Sequence, residues 1–307
     1  MRWLDKRYHS FNYEMRKRFG EKVGKLSING GFTCPNRDGT LGTGGCAFCD
    51  AHGAGKFGGD PNLDIPGQMH QQKLAMETKW RVSKYIAYFQ SFTNTYGAVD
   101  HLQKVYQPAL DDEDVVQVAI ATRPDCLPDD VVAYLAQLNQ QKPLWVELGL
   151  QSIHGGSLKG LNQAYGLADF RTSVEKLHRA GIEVVAHVIL GLPGETLAHV
   201  LETIDYLVAL PIGGIKLHLL HVLEDTALAD RYTQGGFSVL DQETYTDWLV
   251  CCLERIPPDV TIHRLTGDGS KDHLIAPRWP LAKRAILNGI DQTLKERDTW
   301  QGKHLLK

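Results

Sequence analysis

Two rhythms alternate along most of the chain. Short, nearly continuous apolar runs predict strands at Lys84–Phe92, Val115–Thr122, Leu144–Leu150, Ile182–Leu190 and Gly214–Leu219, with an earlier short one at Lys25–Ile28. Between them the apolar positions return with the helical period near 3.6, over 65–82, 98–107, 129–141, 168–180 and 196–209. Pro128 followed by Asp129 marks one helix start, and Gly181 just after Arg179 marks one helix end. Six strands alternating with helices imply a parallel sheet with right-handed crossovers. Strands with so few polar interruptions imply burial on both faces. Beyond about residue 235 the alternation stops: helices are expected at Asp241–Ile256 and Leu281–Glu296, with a short strand at Val260–His263 between them. The expected organisation is a core over 1–235, including a basic N-terminal segment, and an extension over 236–307 packed on it.

Composition narrows the class. Of the 307 residues, 43% are hydrophobic and 22% charged, ordinary for a globular protein and unlike disordered, collagenous or coiled-coil chains. The longest apolar stretch, around Val184–Leu192, is broken by His187 and is too short to span a bilayer. The first ten residues are charged and lack the apolar core of a signal peptide. A cytoplasmic protein without membrane partners is expected. The net charge of −3 conceals an asymmetry: the first 25 residues carry a net +5, leaving −8 on the rest. Basic residues there interleave with Trp3, Tyr8, Phe11, Tyr13 and Phe19, a mixture that suits RNA through stacking and phosphate contact. The same pattern also describes an amphipathic helix laying its aromatic rings on the core.

Ten of the 30 glycines fall between Gly30 and Gly59, and three of the six cysteines, Cys34, Cys46 and Cys49, crowd the same stretch. Six cysteines are too few for a disulfide scaffold of this length. Three thiolates would hold three irons of a [4Fe–4S] cluster and leave the fourth iron open. With His52 they would make a Cys₃His zinc site. Cys46 and Cys49 alone would make a redox pair. Cys251 and Cys252 sit in an apolar helical stretch and read as core.

The loop resembles that of radical S-adenosylmethionine (SAM) enzymes, in which an aromatic residue, here Phe48, precedes the last cysteine. Most of that family space the cysteines by three and two residues; the gap of eleven here is similar to the YtqA/YhcC-type members, relatives of the Elongator catalytic subunit. The resemblance runs through GGFTCPNRDG (30–39), GTGGCAFC (42–49), YFQSFTNTY (88–96), TRPDCLPD (122–129), ELGLQS (147–152), ILGLPGET (189–196) and KLHLLHV (216–222). It implies a partial (β/α)₆ TIM-like barrel with a C-terminal helical extension, a [4Fe–4S] cluster on Cys34, Cys46 and Cys49, and reductive cleavage of SAM to a 5′-deoxyadenosyl radical. An electron donor such as flavodoxin or ferredoxin would be needed. The Elongator kinship implies tRNA as substrate, with conversion of a carboxymethylaminomethyl to an aminomethyl group on the wobble uridine; a small molecule or a protein is the rival substrate, and a zinc-stabilised RNA-binding module the non-catalytic rival.

The resemblance also assigns roles. Phe48 would lie near the adenine, and Gln90, Thr93 and Asn94 would offer polar groups to the SAM ammonium or carboxylate. Glu147, a carboxylate inside an apolar strand, needs a partner: by resemblance it touches SAM with Gln151 and Ser152 nearby, and by the plainer reading it forms an ion pair inside the barrel. The arginine that relatives carry after this strand is replaced by Gln163, with Arg171 a candidate substitute. The backbone at Val188–Gly191 would approach the adenine. Cys126, His187, Lys216 and His218 are catalytic candidates. Together with His221 and Arg123 near other strand ends, they suit an anionic substrate.

Overall fold

The computed structural model describes residues 2–53, 58–78, 81–267 and 271–305. In chain order, the helix α1 (Phe11–Phe19) leads into β1 (Val23–Ile28), then α2 (Ile65–Glu77), β2 (Lys84–Phe89), α3 (Val99–Asp111), β3 (Val115–Thr122), α4 (Asp129–Gln141), β4 (Leu144–Gln151), α5 (Gly155–Gly160), α6 (Leu167–Arg179), β5 (Glu183–Leu190), α7 (Leu197–Val208) and β6 (Gly214–Leu219). There follow β7 (Val222–Leu223), α8 (Ala227–Thr233), α9 (Gln242–Arg255), β8 (Thr261–Arg264), β9 (Leu274–Ala276) and α10 (Lys283–Glu296). The main sheet has the order β1-β2-β3-β4-β5-β6-β8, every neighbouring pair parallel. It curls into a half-barrel with helices outside, the fold expected from the alternation.

Local chemistry sets the boundaries. Ser10 accepts the Tyr13 N–H at the start of α1, and Gly20 closes that helix at φ +81. Asp64, with proline at the second position, starts α2, and Asp241 accepts the Thr244 N–H at the start of α9. The expected helix over 65–82 is shorter than its pattern; residues 79 and 80 lie outside the described residues, as do 54–57 of the glycine-rich loop. The strand expected over Lys84–Phe92 stops at Phe89, and three residues on the chain turns through Phe92, which adopts a left-handed φ of +61.

The segment after 235 does more than pack on the outside. β8 pairs with β6 and adds a seventh strand. Tyr245, Leu249, Leu253, Ile262, Ile286 and Ile290 belong to the same core as Leu26, Phe89, Val146 and Leu217. Cys252 is buried in that core, whereas Cys251 on the same helix is partly exposed.

Three apolar layers frame the inside of the half-barrel. The largest lies between sheet and outer helices. A second closes the end where the strands begin: Met15 of α1, with Phe11 and Phe19, packs on Val23, Ile86, Trp145 and Val185. The third, Ala47, Leu161, Ile189, Leu220 and Val222 with Phe48, lies where the strands end. A polar cavity remains between these last two layers.

α1 precedes β1 and the cysteine loop follows it, so the basic aromatic segment and the cysteines occupy opposite ends of the barrel, about 20 Å apart over six strand residues. The aromatic side chains of this segment pack on the core: Trp3 and Tyr8 are buried, and the partly buried Phe11 meets Trp145 edge-on. Its cations are divided. Arg18 is held by Glu14 and Glu183, whereas Arg16 and Lys17 face solvent.

Candidate functional site

The cavity has a volume of about 310 Å³ and opens at the C-terminal strand ends. Cys34, Cys46, Cys49 and Phe48 form one wall. The loop holding them is fastened from both sides. Arg37 donates to the carbonyls of Cys49 and Asp50 at 2.7 and 2.6 Å. Asn36 donates to the Asn162 carbonyl at 2.8 Å. The N–H of Phe92 reaches the Gly53 carbonyl at 3.2 Å, and the Phe92 ring sits where any Cβ on Gly53 would intrude, 2.5 Å from the nearest ring atom. A bulky residue in the left-handed region stores strain, and this one is used to clamp the cysteine loop.

The three thiols are free, half-buried and exposed to one cavity. Among the described residues, no three His, Cys, Asp or Glu side chains are drawn together as ligands of a metal ion. His52 is exposed and off the cavity wall, so a Cys₃His site is not assembled. A single zinc needs four ligands about 2–2.3 Å from one point. Three thiols lining one wall match the donor set of a three-thiolate cluster site. N–H groups already point at two of the sulfurs: Arg123 Nη1 is 3.6 Å from Cys34 Sγ and Asn36 Nδ2 is 3.8 Å from Cys46 Sγ. Burial pushes the Cys46 thiol up to about 12, so a positively charged group is what would hold it as thiolate.

The wall opposite comes from β3 and β4. Arg123, 7% exposed, grips Asp125 with two hydrogen bonds of 2.9 and 2.6 Å and lies over the Tyr165 ring. Burial works against its charge, but Asp125 outweighs that and the guanidinium stays protonated. Gln151 takes a left-handed φ of +68 at the end of β4. Gly149 is needed here: a Cβ would lie 2.7 Å from Gln151 Nε2 and 2.8 Å from Tyr165 Oη.

The floor is an ionic network. Glu147, 1% exposed, receives Tyr88 Oη at 2.7 Å and Trp145 Nε1 at 3.1 Å, lies 2.9 Å from His187 Nε2, and is ion-paired with Lys216. Burial disfavours the carboxylate, yet Lys216, His187 and Lys25 hold its pKa well below the usual range. Lys25 is seated over the rings of Phe11, Tyr88 and Trp145. The geometry is the ion pair inside the barrel, with both oxygens of Glu147 engaged by the protein.

The other candidates divide. Phe48, Gln90, Thr93, Gln151, His187, Lys216 and His218 line the cavity. Arg171 does not: it is exposed on α6 and paired with Glu175 one turn on, so it does not stand in for the arginine missing at Gln163. Arg123 is the buried cation beside the thiols. Asn94 lies behind the wall, its amide donating to the carbonyls of Phe89, Ser91 and Ala121 and tying the β2 end to β3. Gly191 turns away, with its φ of +86 used to pass Leu240. Cys126 is buried behind the Arg123–Asp125 pair, off the wall, with its Sγ 3.7 Å from Asp125. Sequence reasoning missed Lys25, Arg37, Tyr88, Phe92 and Tyr165. Lys25 carried a signal, a lysine between Gly24 and Leu26 in a buried strand; Arg37, Tyr88 and Phe92 fall within the quoted family motifs but drew no role, and Tyr165 carried no signal beyond ordinary core composition.

Against known families, residues 33–207 match the Radical SAM superfamily, and residues 212–296 match the Radical_SAM C-terminal domain. The chain belongs to the radical SAM superfamily. YtqA of Bacillus subtilis is 46% identical over 97% of this chain and 93% of its own, and YhcC of Escherichia coli K12 is 35% identical over 95% and 94%. A tRNA uridine(34) acetyltransferase of Methanocaldococcus infernus is 23% identical over 56% of this chain and 32% of its own. Among solved structures, the archaeal Elp3 of M. infernus superposes with a TM-score of 0.69, at 15% identity, over 91% of this chain and 64% of that one. That likeness concerns the fold. Radical SAM family members bind a [4Fe–4S] cluster and SAM. Among the described residues, no helix is long and apolar enough to cross a membrane.

Proposed function

We propose that this radical SAM protein is an enzyme that holds a [4Fe–4S] cluster on Cys34, Cys46 and Cys49, binds SAM in the adjoining cavity, and modifies the side chain of the wobble uridine of tRNA. The observation that carries the catalytic reading is the placement of three free thiols on one wall of a cavity that opens at the C-terminal end of a parallel half-barrel. When bound, the cluster and SAM supply one-electron cleavage of the sulfonium and a radical able to abstract hydrogen. The chain supplies position and exclusion. Arg123 and Asn36 offer N–H groups to sulfur. Phe48 and Ile189 bring apolar surface to the mouth. Gln90, Thr93 and Gln151 offer polar groups to the amino-acid end of SAM. The Glu147 network keeps the floor rigid.

The substrate reading draws on the Elongator kinship and on the relative named for tRNA uridine 34. Conversion of carboxymethylaminomethyl to aminomethyl uridine would begin with removal of a hydrogen atom from the carbon between amine and acid; return of one further electron from that carbon to the redox centre would give an imine, which water hydrolyses to the aminomethyl group and glyoxylate. A flavodoxin or ferredoxin would deliver the electron, and the cytoplasm is where such partners and tRNA occur together.

Anaerobic reconstitution tests this. Wild type is expected to be brown, with about four irons per chain, and to release 5′-deoxyadenosine on reduction with SAM. Cys34→Ala, Cys46→Ala or Cys49→Ala should each abolish that release. Digests of tRNA carrying the carboxymethylaminomethyl group should then show the aminomethyl nucleoside. Release of 5′-deoxyadenosine by a triple cysteine variant would end the cluster assignment.

A further inference from the structure

Among the described residues, the cavity floor sets two buried amines, Lys25 and Lys216, against the carboxylate of Glu147. The imidazoles of His187 and His218, which burial keeps neutral, stand beside them, their ring centres 5.3 Å apart. Lys216, 3% exposed, has three N–H donors; Glu147 and Tyr88 Oη accept two of them. His218 stands two residues further along β6 on the same side, and its buried Nε2 has no hydrogen-bond partner. A buried ammonium N–H short of an acceptor, and a buried ring nitrogen left unpaired, both cost free energy that an incoming anion with oxygen acceptors would recover.

We propose that this floor is a carboxylate-binding subsite, in which the remaining N–H of Lys216 and Nε2–H of His218 receive the acid group of the substrate. The inference rests on the proposed function above and deepens it by naming the residues that receive the substrate's acid group, whose carboxylate sits one carbon from the position attacked. With the acid on the floor, that neighbouring carbon is held between the floor and the cysteine wall. A neutral or cationic substrate of the same shape would leave the floor as it is.

The test uses the full-length, anaerobically reconstituted protein with SAM present, and ligand-observed NMR titration. The probes are paired: 5-carboxymethylaminomethyluridine against 5-aminomethyluridine, and sarcosine against methylamine. Each acid is expected to bind at least about tenfold more tightly than its amine partner. His218→Phe should erase most of that preference and leave the affinity for SAM unchanged. His218→Gln, which keeps an N–H donor, should restore part of it, and Lys216→Met should erase it independently. Equal binding of acid and amine in both pairs would overturn the subsite. So would a preference that survives both His218→Phe and Lys216→Met. A parallel loss of SAM affinity in His218→Phe would assign the floor to the carboxylate of SAM and overturn the substrate proposal. A His218-dependent preference for sarcosine without binding of the modified uridine would keep the subsite and remove the wobble-uridine reading.

Discussion

At the scale of the residue, Glu147 shows how one carboxylate organises an interior. Its two oxygens gather Tyr88, Trp145, His187 and Lys216 from four positions on three other elements and its own strand. Breaking a buried pair by removing one partner leaves an uncompensated charge, so Glu147→Gln should destabilise the fold by about 3 kcal/mol at neutral pH. The pH dependence has a definite sign. The folded carboxyl titrates well below its reference value of 4.5, so its stabilisation is fully present above about pH 4.5 and is lost as pH falls through the lower folded value. Chemical denaturation of wild type and variant from pH 7 down to pH 3 should show the gap narrowing as the medium becomes acidic. A constant gap would mean that shape, not charge, is what the substitution removes.

At the scale of the element, the seventh strand decides whether the chain divides. β8 covers the open edge of β6, and α9 and α10 place Leu249, Leu253, Ile286 and Ile290 in the core that the sheet itself builds. An uncovered parallel edge with that much exposed apolar surface invites aggregation. A chain ending at residue 235 is therefore expected to lose near-UV circular dichroism and to bind a hydrophobic dye. A cooperative, dye-free unfolding transition in the truncated protein would show that 1–235 folds alone. The reason for the dependence was hard to read in advance. A four-residue strand between two helices has the same composition whether it joins a main sheet or lies outside one, and only the register with β6 distinguishes them.

At the scale of the whole molecule, the charge asymmetry lies along the barrel axis. The +5 segment closes the end where strands begin, and the cysteines lie at the other. Arg16 and Lys17 are the exposed cations of α1; Arg18 is committed to Glu14 and Glu183. If tRNA wraps far enough to meet both ends, Arg16→Ala with Lys17→Ala should weaken binding and flatten the log–log salt dependence by about 0.7–0.9 per lost phosphate contact. Filter binding of bulk tRNA at several salt concentrations measures both quantities. Unchanged slope and affinity would confine any RNA surface to the cavity end.

The alternation of strand and helix, the parallel sheet and the cysteine loop at its rim were all written in local order, because a buried strand needs a continuous apolar run and a helix needs period 3.6. Caps such as Ser10 and Asp241 set their boundaries within one or two residues for the same local reason. Glu147 was conspicuous because a carboxylate in an apolar strand must be answered by something, but what answers it comes from β2, β5 and β6, up to 69 residues away. The clamp of Phe92 on Gly53, the pairing of Arg123 with both Asp125 and Cys34, and the removal of Arg171 and Asn94 from the cavity depend on which side of a curled sheet each residue meets. That is settled by curvature, register and the packing of α1 into one end, none of which a single stretch of sequence encodes.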